Sequence, residues 1–266
     1  MIDRWRGKWA LVTGASAGIG AALARLLAAG GANLVLTARR ADRLEKLAAE
    51  LIAAHKIRIE IVAADLQADS GPAEIYAFTA GKGIEIDLLI NNAGFGNYGR
   101  FDQSPLEPQL GMVRVNCGAV VHLTHLYLAG MVQRRRGDIL ILASTASFQA
   151  VAYIAVYAAS KAFDLLFAEG LAEEVKKYGV QVCALCPGST TTEFQQVAGQ
   201  PEKFKRQETP EKVARVGLEA LAAGKSYVIS GFANYASAHA ERLVPRRFVT
   251  RAAAKLFAPK EELDTK

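Results

Sequence analysis

A tyrosine and a lysine four residues apart, in Tyr157-Ala-Ala-Ser-Lys161, are the side chains of this sequence that point most directly to chemistry. Positions four apart on a helix share a face, so a phenol and an ammonium can meet over one ligand. A free tyrosine stays protonated at neutral pH, because its reference pKa is about 10. A neighbouring ammonium favours the phenolate and draws that pKa toward the range of a working acid or base. Alone, such a pair is more often surface packing. Its meaning comes from the segments around it.

Those segments alternate in type. Residues 9–13, 34–37, 57–63, 86–90, 138–143, 181–185 and 227–230 are short, rich in Val, Ile and Leu, and bounded by polar residues or Gly. Runs of this kind without polar alternation predict strands buried on both faces, as in a parallel sheet. Between them, 19–29, 42–54, 72–80, 108–133, 156–177 and 210–223 read as helices. Gly30-Gly31 stops the first helix, and Thr209-Pro210-Glu211 starts the last. The rhythm predicts an α/β fold with a doubly wound parallel sheet and right-handed crossovers. No repeat, low-complexity tract or linker divides the 266 residues, so one domain is expected.

Composition narrows the class. Half of the chain is apolar (51%) and 22% is charged, the balance of a soluble globular protein. The net charge of +6 accompanies no nucleic-acid recognition motif, so no nucleic-acid partner is expected. Met1-Ile-Asp3 runs toward a strand without a signal region, and no stretch is read as an uncharged bilayer-spanning helix. The expected location is cytoplasmic. Cys117, Cys183 and Cys186 are too few for a disulfide framework, and no metal site is read. Cys183 and Cys186, three apart on a strand, should face opposite ways and act as core packing.

The first strand runs into Thr13-Gly14-Ala15-Ser16-Ala17-Gly18-Ile19-Gly20 and then a helix. Glycines there permit a tight turn, close approach to a pyrophosphate and close helix–strand packing, and the helix N-terminus offers free N–H groups. The second strand ends Thr37-Ala38-Arg39-Arg40. An NAD-preferring fold usually places an acid there; this sequence has Ala38 and then two arginines, which suit a 2′-phosphate. NADP(H) is the expected cofactor, the alternative being that Arg39 and Arg40 merely solvate a loop. Asp65 and Leu66, after the third strand, belong on the adenine side, and Asn92, Ala93 and Gly94, after the fourth, lie beside the cofactor.

With the glycine loop, Asn91-Asn92-Ala93-Gly94 and Tyr157 with Lys161, the sequence resembles the short-chain dehydrogenase/reductase family over roughly residues 8–227. The resemblance implies a Rossmann-like sheet carrying cofactor and substrate sites in one domain. It gives residues 1–231 as the catalytic domain and 232–266 as a basic helical extension. It implies that Tyr157 protonates a carbonyl oxygen and that Lys161 holds the nicotinamide ribose. Ser144 would orient the substrate, with Thr145 and Ser147 as neighbouring decoys, and Asn116 would link Lys161 to water. Pro187, Gly188, Thr190 and Thr192 would cover the nicotinamide. One departure is Ala17, where many NADP-preferring relatives carry a basic residue, which shifts 2′-phosphate selection onto Arg39 and Arg40.

The expected activity is hydride transfer between NADP(H) and a hydrophobic ketone, aldehyde or alcohol. The candidate wall is Phe95–Phe101, Phe148–Tyr153 and Thr190–Phe204, which are aromatic and apolar but could equally be lid packing. Other readings are a cofactor-binding sensor or scaffold without catalysis, and an epimerase or dehydratase using the same site. Family resemblance suggests a homodimer or homotetramer through the helices around Asn116 and Tyr157. In the tail, Phe248, Ala252 and Leu256 form one helical stripe, and Arg247, Arg251 and Lys255 another. Such a helix can lie on an anionic membrane, but more commonly packs on its own domain or a dimer mate.

Overall fold

A computed structural model describes residues 2–201 and 207–259. Seven parallel strands form the sheet: β1 (Trp9–Thr13), β2 (Asn33–Ala38), β3 (Ile59–Ala63), β4 (Ile86–Asn91), β5 (Gly137–Leu142), β6 (Val180–Cys186) and β7 (Tyr227–Ile229). Their order is β3-β2-β1-β4-β5-β6-β7, so the winding reverses between β1 and β4. In such sheets the ligand crevice opens at that reversal, beyond the carboxyl ends of the strands.

Three helices, α1 (Gly18–Ala29), α2 (Ala41–His55) and α8 (Pro210–Ala222), bury Leu23, Leu27, Leu44 and Leu218 in one core layer. On the opposite face, α3 (Gly71–Gly81), α5 (Val120–Gln133) and α6 (Ala155–Val175) bury Ile75, Leu123, Leu165 and Leu171 in the other. Each such side chain contributes roughly 1.5–3 kcal/mol on leaving water. Cys183 belongs to the first layer and Cys186 to the second, as expected for strand residues of opposite facing. Thr209 caps α8 by accepting from the Lys212 backbone N–H at 3.3 Å.

Three expectations change. First, β3 begins at Ile59 and is only half-buried, because it is an edge strand with a neighbour on one side. Second, the helix expected over 108–133 is three segments: α4 (Leu106–Val113), a π-helical turn over Arg114–Ala119, and α5. Third, residues 115–133 carry no Asp, Glu, Lys or Arg, and the 28-residue run Leu106–Gln133 is long and apolar enough to cross a membrane. Leu123, Tyr127 and Met131 in that run pack into the second core layer.

The short α7 (Phe194–Val197) follows β6, and beyond β7, α9 (Phe232–Ala240) leads to α10 (Arg246–Phe257). The inner face of α10 places Ala253 and Phe257 against Val151, Ile154 and Ala158, while Phe248 and Leu256 face outward. The tail thus packs on its own domain through Ala253 and Phe257, and the expected stripe of Phe248, Ala252 and Leu256 is exposed. Residues 260–266 of the expected extension lie outside the described residues.

The other end is tied down by Trp5, 1% exposed, whose indole N–H donates to Asp138 Oδ2 at 2.7 Å. Arg4 reaches the same carboxylate at 3.0 Å. Burial holds the Asp138 carboxyl above the usual range, although Arg4 and Trp5 pull it down. Asp138→Ala would leave a buried indole N–H without an acceptor. We expect it to cost about 2 kcal/mol, read as a shifted denaturation midpoint at unchanged m-value.

Candidate active site

At the end of β1 the chain turns through Gly14, whose φ is +65°, and enters α1 at Gly18. A Cβ on Gly20 would collide with the Gly14 carbonyl oxygen, so the loop closes only with glycine there. Thr13 Oγ1 accepts from the backbone N–H groups of Asn92 and Ala93, each at 2.9 Å. Asn92 Nδ2 returns a bond to the Thr13 carbonyl at 2.8 Å, fastening the ends of β1 and β4 together. The amide expected beside the cofactor therefore also secures the floor of its groove.

One cleft of about 570 Å³ borders every cofactor-side residue named from the sequence, from Gly14 through Arg39, Asp65 and Gly94 to Pro187 and Thr192. At Gly14, Gly18 and Gly20 the loop presents bare backbone to it, which allows a pyrophosphate to approach closely. Arg40 is less free than its neighbour: it donates to Ser16 Oγ at 3.0 Å and pairs with Glu193 at 2.9 Å. Arg43 joins the same carboxylate at 2.6 Å, and the two arginines hold Glu193 below the usual carboxylate range. Arg39, at the cleft edge, makes no ion pair or hydrogen bond among the described residues. Thr192 places its methyl group over Gly18, and Thr190 donates to the Gly188 carbonyl at 3.1 Å. Asp65 turns back to accept from the Gln67 N–H at 3.0 Å.

The inner end of the cleft holds the chemistry. Ser144 leaves the end of β5 and borders the cleft beside Tyr157, near enough to favour its ionised form. The Ser144 Oγ accepts from the Ala146 N–H at 3.1 Å. Ser147, the neighbouring decoy, is committed elsewhere, donating to the Lys161 carbonyl at 2.7 Å. Lys161 lies one turn beyond Tyr157 on α6, its ammonium donating to the Leu142 carbonyl at 2.6 Å and to Asp164 Oδ2 at 2.9 Å.

Asn116 sits behind the cleft wall on the π-helical turn. Its Nδ2 donates to the Phe95 carbonyl at 3.1 Å and to Ser160 Oγ at 3.0 Å, and its Oδ1 accepts from the Phe95 N–H at 3.2 Å. A Cβ on Gly94 would stand 3.1 Å from Asn116 Oδ1 and 3.4 Å from Lys161 Nζ, so both groups converge on that glycine. Single-turn π bulges occur often at functional sites, and this one aims Asn116 at the loop after β4.

The electrostatics correct one expectation. Burial raises the pKa of Tyr157 above its ordinary value, and this outweighs the lowering by Lys161 and by the neighbouring Ser144 hydroxyl. Burial also works against the Lys161 ammonium, but attraction to Asp164 and Tyr157 leaves it above its usual value. Without ligand, Tyr157 is therefore a firmly protonated phenol rather than one poised for ionisation.

The expected substrate wall is also revised. Phe101 is 64% exposed, and Phe148 packs on Tyr227 with ring centroids 6.4 Å apart. Phe95, Phe194 and Val197 of the expected segments do line the cleft, and Ile154 and Phe257, from outside them, complete the apolar lining. The Phe194 ring lies 5.1 Å from that of Tyr157. Residues 202–204 of the proposed wall lie outside the described residues. Sequence reasoning missed Asp164, Glu193 and Phe257. Of these, Asp164 was within reach, because positions 157, 161 and 164 share one helical stripe.

A parallel sheet reversing at β1 and β4, with Ser144, Tyr157 and Lys161 at the end of a glycine-lined cleft, defines a short-chain dehydrogenase. The chain belongs to that family: residues 8–203 match the profile described as short chain dehydrogenase. A very-long-chain 3-oxoacyl-CoA reductase of Pyrenophora tritici-repentis is 33% identical over 196 residues, covering 72% of this chain and 58% of that protein. The chain thus spans little more than half the length of such curated relatives. A short-chain dehydrogenase from Sphingobium yanoikuyae, solved in complex with NADPH, superposes with a TM-score of 0.81 at 29% identity, covering 89% of this chain and 94% of that one. A 7β-hydroxysteroid dehydrogenase superposes with a TM-score of 0.85 at 26% identity, covering 95% and 99%.

Proposed function

We propose that this protein is an NADP(H)-dependent oxidoreductase that interconverts a hydrophobic ketone or aldehyde and its alcohol. The observation that carries the reading is the convergence of Ser144, Tyr157 and Lys161 at the inner end of a glycine-lined cleft walled by Phe95, Ile154, Phe194 and Phe257. The relatives named as a reductase and a hydroxysteroid dehydrogenase, and the neighbour holding NADPH, support it.

The dinucleotide would lie against the Gly14–Gly20 loop and the α1 N-terminus, with Arg39 toward a 2′-phosphate and Lys161 toward the nicotinamide ribose. When bound, it supplies the hydride that adds to the carbonyl carbon. Ser144 orients the carbonyl oxygen, and the Tyr157 O–H gives that oxygen its proton, so C=O becomes CH–OH and a phenolate remains to be reprotonated from solvent. Lys161, as a cation, steadies that phenolate. The half-buried aromatic lining limits the access of water to the reacting centre. The sensor and epimerase readings draw on no observation of their own.

We also propose that the protein works in the cytoplasm as a homodimer or homotetramer. Exposed Leu106, Leu110, Val113, Val121, Phe163 and Leu166 on α4, α5 and α6 support pairing between copies.

NADPH oxidation, followed by absorbance against a panel of carbonyl compounds, tests the function. Turnover is expected with bulky apolar ketones or aldehydes. Phe257→Ala should change KM for those substrates by about tenfold while leaving small ketones nearly unaffected. Absence of NADPH oxidation across the panel, together with absence of NADP+ reduction by the matching alcohols, would overturn the reading.

A further inference from the structure

Lys161 is not the only charge beneath Tyr157. Asp164 follows it on α6 and is completely buried, at 0% exposure, with Lys161 at 4%. One carboxylate oxygen takes the Lys161 ammonium at 2.9 Å, and the other, Oδ1, has no hydrogen-bond partner among the described residues. A half-satisfied buried carboxylate is costly, and packing alone would favour an apolar side chain at this position. The same helix does place apolar residues on its buried stripe, at Leu165, Ala168 and Leu171. The acid at 164 therefore calls for another role.

Coulomb attraction supplies one. A lone ammonium beside Tyr157 would draw the phenol toward its phenolate. A carboxylate 2.9 Å from that ammonium turns a monopole into a dipole, whose field at the phenol is much weaker. We infer that Asp164 is a positioning residue that pins Lys161 and offsets its charge, so that Tyr157 rests as a protonated acid and the site is set for carbonyl reduction at neutral pH. This rests on Tyr157 being the acid of the reaction, as argued above.

The surrounding groups are consistent with it. Burial pushes the Asp164 carboxyl up to about 6, with Lys161 pulling it down, so Asp164 carries its charge at neutral pH and above. Its charge acts on Tyr157 in the raising direction. Among the described residues, the other titratable groups facing the pair are Cys117, from the π-helical turn, and Cys186, at the end of β6. Burial raises both thiols, Cys117 to about 11, so both stay neutral at working pH. Glu169, further along α6, faces Cys186 rather than the phenol. The Lys161–Asp164 pair therefore sets the local field.

Asp164→Asn keeps the shape and an acceptor for Lys161 but removes the charge. In pH profiles of alcohol oxidation by the NADP+-loaded enzyme, its midpoint should lie at least about one unit more acidic than in the wild type. NADPH affinity should stay within about threefold of wild type, since the fold of the cleft is kept. An unshifted midpoint in a folded, cofactor-binding Asp164→Asn protein would overturn the inference. Tyr157→Phe separates the two ideas: full turnover in that variant removes the acid assignment itself, whereas an inactive Tyr157→Phe with an unshifted Asp164→Asn removes only the role of Asp164. If Asp164→Asn does not fold, a carbon-13 tyrosine titration of the NADPH-bound wild type gives the answer, with the resonance assigned through Tyr157→Phe. A Tyr157 midpoint at or above the free-phenol value of about 10 supports the inference, and any lower midpoint overturns it.

Discussion

Tyr157→Phe is expected to lower kcat/KM about 10³-fold with NADPH affinity nearly unchanged, the size of loss typical for removal of a positioned general acid. The substitution takes away one oxygen and leaves the ring, which packs 5.1 Å from Phe194 and belongs to the cluster of Val151, Ile154 and Ala158. The fold and the cleft therefore survive, so the loss is chemical. Stopped-flow measurement of NADPH oxidation, beside fluorescence titration of NADPH, separates the two quantities. A fall of less than about tenfold would assign the proton to another group and empty the site of its acid. Ser144 cannot replace the missing phenol, because a serine hydroxyl is far less acidic and is itself bonded to the Ala146 N–H.

Arg39→Ala should raise KM for NADPH by roughly 10²-fold while moving KM for NADH by less than about threefold, since a charge-assisted bond to phosphate is worth up to about 3 kcal/mol. Among the described residues Arg39 stands at the cleft edge without another ion pair, whereas Arg40 already serves Ser16 and Glu193. Recruiting Arg40 for a 2′-phosphate would mean giving up those bonds, so its substitution should affect both cofactors by a smaller and more even factor. Ala17 offers no charge to compensate. Equal losses for NADPH and NADH in Arg39→Ala would show that the arginine supports the loop instead of reading the phosphate.

Much of the scaffold was legible because it is written in local patterns. The seven strand segments and the helices between them are specified by apolar runs, glycine stops and the Thr209 cap, all short-range signals. The glycine loop was legible for the same reason: a turn of φ +65° at Gly14 is a property of the residue itself. The break at Arg114–Ala119 was not, because a π-helical turn changes no residue type and is held by bonds from Asn116 to Phe95 and Ser160, 21 and 44 positions away. The substrate wall was legible only in part: Phe95, Phe194 and Val197 line the cleft as expected, but Phe101 and Phe148 do not. An aromatic residue such as Phe148 satisfies the pattern whether it faces the cleft or, as here, Tyr227.

The sequence by itself determined the α/β winding, the position of the cofactor loop and the pairing of Tyr157 with Lys161, since each depends on residues a few positions apart. Only the tertiary structure decided the state of that pair. Asp164 is three residues from Lys161 in sequence, yet its effect on the ammonium depends on both being sealed from water at 0% and 4% exposure. Burial is set by β5, β6 and the π-helical turn packing over α6, and it reverses the expected sign of the Tyr157 shift. A charge in water and the same charge in a closed interior interact with very different strength, and the chain must fold before that difference exists.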